Sequence, residues 1–183
     1  MSAPELSRRS AAALLGLGVA ASRLKAAQAA LNALRRDPAE AKLQFFTPAQ
    51  HELLDALTEM ILPADEHSPG AHAAAVGKYI DLVVANSTPE TQAAWRANLA
   101  AFEAFAGQAG KPFLRAAPAQ RAKVLEQLAA RAARPGTPAE HFFAQVREMT
   151  IFGYYSSEIG LLKELGYKGN QVLAAFPGCH SAP

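Results

Sequence analysis

Four side chains able to ligate a metal or exchange protons lie between positions 65 and 72: Asp65, Glu66, His67 and His72. A carboxylate beside an imidazole can work as acid and base, and three or four such groups can hold a divalent cation. Their spacing matches no established ligand pattern, however. Pro63 and Pro69 mark the stretch as a polar loop between helices, with acids near the next helix start, where the backbone dipole favours negative charge. The enzymatic alternative is a stand-alone metal-dependent activity centred on Asp65, His67 and His72.

Other reactive types are sparse. Cys179 is the single cysteine, which excludes an internal disulfide framework, a cysteine-based zinc site and a multi-cysteine iron–sulfur site. Gly178-Cys179-His180 lacks the first cysteine that covalent haem attachment requires, because Phe176 stands there. Gly16-Leu17-Gly18 belongs to the leader described below, and Gly107, Gly110 and Gly166 fall at helix ends, so no phosphate-cradling loop exists. Tyr154-Tyr155 could stack on a flavin or a sugar, but paired aromatics on a helix more often serve a core or a subunit interface. His51 and His141 read as solvent-facing first-turn residues. No catalytic, cofactor-binding or metal-binding residue is therefore assigned to this chain.

The elements that would position these groups begin after an N-terminal leader. Arg8-Arg9 directly precede an apolar run from Ala11 to Ala21, followed by Arg23, Lys25 and the small-x-small stretch Ala27-Gln28-Ala29. That order resembles a twin-arginine export signal over residues 1–30, although Ala11 stands where such signals carry a bulkier residue. Eleven apolar residues cover about half of the ~20 needed to span a bilayer. Of the 18 Lys and Arg, four lie in this leader with one of the 16 acids, leaving 14 against 15 and a net charge of −1. With no basic stripe in that remainder, nucleic-acid binding has no electrostatic footprint.

After a charged arm at residues 31–45, one device recurs: a short residue, then Pro, then helix formers with apolar positions three and four apart. Thr47-Pro48-Ala49-Gln50 and Thr137-Pro138-Ala139-Glu140 have the form of capping boxes. Thr88-Pro89 and Ala117-Pro118 open two more helices, and another is expected over Ala71 to Ala85 with Val76, Tyr79, Ile80 and Val83 on one face. Gly153 is expected to break or kink the helix that starts at Thr137, and a last helix should run from about Ser156 to Leu165. No sustained alternation demands a sheet. The sequence thus predicts an all-α fold: an irregular bundle of about six helices over residues 46–166, with an extended tail at 167–183.

Several blocks then become familiar together. They are Leu62-Pro63-Ala64-Asp65, Pro69-Gly70-Ala71, Gly153-Tyr154-Tyr155-Ser156-Ser157-Glu158-Ile159-Gly160, Leu165-Gly166-Tyr167-Lys168-Gly169-Asn170 and Phe176-Pro177-Gly178-Cys179. In this order they resemble the gluconate 2-dehydrogenase subunit 3 family, from about Phe46 to His180. The resemblance implies a small noncatalytic partner of an FAD-containing subunit of the glucose-methanol-choline type. A cytochrome c subunit carrying haem c would receive the electrons in some complexes, and the whole would oxidise a sugar or sugar acid in the periplasm. Gluconate 2-dehydrogenase and glucoside 3-dehydrogenase complexes both fit. This chain would itself bind no cofactor, would carry the flavoprotein out through Arg8 and Arg9, and would touch the membrane only through the complex or an uncleaved signal.

The tail after Gly166 cannot bury itself as a helix yet carries Tyr167, Val172, Leu173 and Phe176, a composition suited to wrapping a partner. The expected interface is therefore Tyr154, Tyr155, Glu158, Tyr167, Lys168, Asn170 and Phe176, with Cys179 available for an intersubunit disulfide. A dissociating export chaperone is the further alternative.

Overall fold

The computed structural model describes residues 28–34, 36–37, 40–108 and 110–169. Residues 28–34 are helical. There follow α1 (Pro48–Ile61), the short α2 (Gly70–Ala73), α3 (Val76–Ala85), α4 (Pro89–Gly107), a 3-10 turn (Phe113–Arg115), α5 (Pro118–Ala129), α6 (Pro138–Tyr155) and a π-helical segment (Ile159–Glu164). No strand occurs among the described residues, and the chain is all-α as the periodicity predicts.

The helices start where their caps lie. Thr47 Oγ1 accepts from the Gln50 N–H at 3.3 Å while Gln50 Oε1 accepts from the Thr47 N–H at 3.0 Å. Thr137 and Glu140 repeat the arrangement, and Glu140 Oε2 also accepts from the Gly136 N–H at 2.7 Å. Each box satisfies backbone donors that would otherwise have no partner in the first turn, a gain of about 1 kcal/mol. The Glu140 carboxyl is held below its ordinary value, chiefly by the Gly136 amide.

α6 is the hub. It packs against α1, α3, α4, α5 and the π-helical segment. Its buried residues Phe142, Phe143, Val146, Thr150 and Tyr154 face a core that includes Leu54, Leu57, Ile80 and Leu128. A row of rings crosses this core from Phe46 to Trp95 (6.1 Å between centroids), Phe142 (5.7 Å), Phe102 (5.2 Å) and Phe113 (5.4 Å). Truncating one of them, such as Phe142, to alanine would cost about 3–5 kcal/mol.

The chain departs from the sequence reading in three places. The helix expected over Ala71 to Ala85 is divided, because Ala75 adopts left-handed backbone geometry (φ 53°) between α2 and α3. Within α3 itself the buried face runs through Val76, Ile80 and Val84, which leaves Val83 exposed. Gly153 does not break α6, which continues to Tyr155. The glycine is there for space, since a Cβ at 153 would stand 2.7 Å from Tyr79 Cδ1. The last expected helix is a π-helical turn confined to Ile159–Glu164, and Ser156 caps α6 in place of opening a helix.

The charged arm is tied down at its end. Asp81, buried in the middle of α3, accepts three backbone N–H groups: Gln44 at 2.7 Å, Phe45 at 3.0 Å and Phe46 at 2.8 Å. Phe46 is thereby held against Trp95, and Phe45 lies 4.4 Å beneath the Arg96 guanidinium.

Candidate functional site

The polar loop proposed for chemistry turns its polar groups onto its own backbone. Asp65 Oδ1 accepts from the His67 N–H at 2.8 Å and the Ser68 N–H at 2.7 Å, and these two bonds hold its carboxyl below the ordinary range. Glu66 and His67 are exposed. His72 turns away to pair with Asp55 on α1, Nδ1 to Oδ2 at 2.5 Å. Glu59 closes the loop from the other side, accepting from the N–H groups of Ala64 (2.9 Å) and His72 (2.8 Å). Gly70 (φ +82°) passes so close that a Cβ there would lie 2.6 Å from Glu59 Oε1 and 2.7 Å from the Ala64 nitrogen. Asp65, His67 and His72 thus do not converge. No three His, Cys, Asp or Glu among the described residues are placed to hold a metal ion.

His51 corrects the first-turn reading. Its Nε2 is buried without a hydrogen-bond partner, and burial lowers its pKa against the opposing pull of Asp55 and Asp81.

The other candidate region is the end of α6. Tyr154, chosen from sequence for a partner interface, is fully buried in this chain's own core. That choice is corrected: the ring is internal because its hydroxyl has two internal partners. It donates to Glu164 Oε2 at 2.6 Å and lies 2.8 Å from Ser68 Oγ. A carboxylate can only accept, so Ser68 supplies the proton of the second bond while its oxygen accepts from the Gly70 N–H at 3.2 Å. Tyr155 is half-buried, packs perpendicular to Tyr154 at 5.2 Å between centroids, and donates to Glu164 Oε1 at 2.9 Å. Burial, then Glu164, raises the Tyr154 pKa; Glu164 is the first cause for Tyr155. Both phenols therefore stay protonated as donors.

Around this knot the surface turns apolar. The exposed large hydrophobic residues among those described are Val83, Ile151, Phe152, Leu162, Leu165 and Tyr167. Five of the six fall between positions 151 and 167, so the exposed apolar surface gathers at the end of α6 and in the segment after it. Phe152 is 64% exposed and tilts against Tyr79 of α3 at 6.4 Å. Glu158, Tyr167 and Lys168, chosen from sequence, are exposed in the same stretch. Ile151, Phe152, Leu162 and Leu165 were missed. The signal that could have found them is an apolar excess: Ile151 and Phe152 lie outside the stripe formed by Phe142, Phe143, Val146 and Thr150. Arg8, Arg9, Asn170, Phe176 and Cys179 lie outside the described residues.

A separate open cavity of about 470 Å³ lies between the start of α1 and the end of α4, lined by Leu53, Pro112, Phe113 and Leu114 with Glu103 and Lys111 as its charged groups. No helix among the described residues is long and apolar enough to cross a membrane.

Fold and site together define a small all-α protein whose exposed apolar residues concentrate at one end, the pattern of a chain that meets another macromolecule. Residues 48–177 match the gluconate 2-dehydrogenase subunit 3 family, and the chain belongs to that family. Comparison with curated proteins and with solved structures gives no match. The family is that of a subunit within a multi-subunit dehydrogenase.

Proposed function

We propose that this chain is the noncatalytic small subunit of an FAD-dependent dehydrogenase complex acting on a sugar or sugar acid, and that it stabilises the flavoprotein and accompanies it through twin-arginine export to the periplasm. The observation that carries the reading is the concentration of exposed apolar side chains over positions 151–167, in a chain of a family named as a subunit. Apolar surface of this kind is normally covered by a partner. The flavin would reside in the partner, of the glucose-methanol-choline type, and haem c in a cytochrome subunit where one is present. The route fits the physical need: a flavoprotein takes up its cofactor and folds before export, and a route that moves folded cargo can move a preassembled pair.

The test is co-production with the flavoprotein. Phe152→Glu and Leu165→Glu each place a charge on an exposed position, so the helical fold should melt as wild type while the flavin-containing subunit no longer copurifies. Undiminished copurification by both variants would refute this surface as the interface. Replacing Arg8 and Arg9 together by lysine should retain both subunits, and the flavin with them, in the cytoplasm.

A further inference from the structure

A six-residue π-helical turn has little stability of its own, because it is short and its hydrogen-bond geometry is uncommon. Ile159–Glu164 is nevertheless anchored twice against the end of α6. At its start, a Cβ on Gly160 would overlap the Tyr154 carbonyl oxygen and stand 2.9 Å from the carbonyl carbon, so only glycine permits the approach. The Gly160 N–H donates to Ser157 Oγ at 3.1 Å, and that hydroxyl donates to Tyr154 O at 2.6 Å. At its other end, the Glu164 carboxylate straddles two phenols, one oxygen for each of Tyr154 and Tyr155. Through Tyr154 the same network reaches Ser68 in the α1–α2 loop.

We propose that Glu164 is a positioning residue: it latches the Ile159–Glu164 segment onto α6 and so fixes the surface that Leu162 and Leu165 present to the companion subunit. With Gly160 and Glu164 committed to α6, the exposed side of the segment carries Leu162 and Leu165, 49% and 58% exposed. Lys163 and Lys168 are exposed beside them, Glu164 is turned inward, and Glu158 is exposed just before the segment. The complementary face is accordingly apolar at its centre, with charges of both signs at its edge to meet Lys163, Lys168 and Glu158. What that surface meets rests on the subunit reading above, whereas the latch itself does not.

The experiment uses the full chain as wild type, Glu164→Ala and Glu164→Gln. Hydrogen exchange is read at the amides of residues 160–167. Affinity is read by titration against the flavin-containing subunit isolated from the wild-type complex. The alanine variant should raise exchange in this segment at least tenfold and weaken binding about tenfold, with the thermal midpoint and the amides of α1 to α5 little changed. The glutamine variant keeps an acceptor for one phenol and should recover most of both effects. Unchanged exchange in the alanine variant overturns the latch. Raised exchange with unchanged affinity overturns its role in presenting the surface. If the wild-type chain binds no flavin-containing subunit, the subunit reading falls and the presented surface with it, while the exchange data still decide the latch.

Discussion

Replacing Asp81 by asparagine tests whether one buried carboxylate fastens the residues before α1 to the bundle. The native side chain is 2% exposed and accepts three backbone N–H groups at 2.7, 2.8 and 3.0 Å. Bonds to a charged acceptor each contribute about 1.5–3 kcal/mol, and a buried donor left without a partner costs about 1–3 kcal/mol. Asparagine offers one oxygen, enough for two donors, and turns its own N–H groups toward the third. It also removes a charge that was costly to bury, which offsets part of the loss. The net expectation is about 3 kcal/mol of destabilisation, or roughly 8 °C in thermal midpoint for a chain of this size. Asp81→Ala should cost more, because all three amides lose their acceptor. Urea unfolding followed by circular dichroism gives the free energy. The double variant with Phe46→Ala should lose less than the sum of the singles, since both act on the same fastening. A loss below about 0.5 kcal/mol in Asp81→Ala, or strict additivity with Phe46→Ala, would refute the reasoning.

Gly160→Ala should lift the Ile159–Glu164 segment from α6 and raise amide exchange over residues 160–167 about tenfold or more, because its Cβ meets the Tyr154 backbone and not a movable side chain; exchange equal to wild type would contradict this. Gly70→Ala combines a left-handed φ of +82° with the closeness of Glu59 and the Ala64 nitrogen, and should cost about 2–3 kcal/mol in urea unfolding. The His51 pKa is lowered in the fold, so the unfolded chain binds that proton more readily. The stability this ring contributes is full above the ordinary imidazole value of about 6.5 and is lost as pH falls below it. Urea midpoints between pH 7.5 and 5.5 should therefore decline, and His51→Gln should flatten that decline; an unchanged slope would show that the ring does not cause it.

Helix starts were the most legible part of this chain. Thr47, Thr88 and Thr137, each followed by proline, place their helices to the residue, because N-capping is a local event between neighbours in sequence. What required the structure was long-range. Asp81 looks like a misplaced acid in the run from Ile80 to Val84 until the amides 35 to 37 residues earlier are seen to converge on it. Glu164 gives no sign in sequence that it joins two tyrosines nine and ten residues before it. Gly153 was read by its propensity to interrupt helices, whereas the Tyr79 ring on another helix decides its role. The family blocks fall on the segment where the exposed apolar side chains gather, but they mix residues that hold it from within, such as Tyr154, with residues that face outward, such as Lys168.

The central position of α6 bears on how the chain is made. Because this helix supplies the wall on which α1, α3, α4 and α5 rest, and begins only at Pro138, the earlier three-quarters of the polypeptide has only its own smaller helix pairings to close with while it leaves the ribosome. Trp95 and Phe102 stay without the Phe142 ring that packs on both until the last long helix emerges, and closure then draws together residues far apart along the chain. Synthesis halted before residue 138 would release a sticky, half-built product, so the quality of each molecule is decided near the end of its translation.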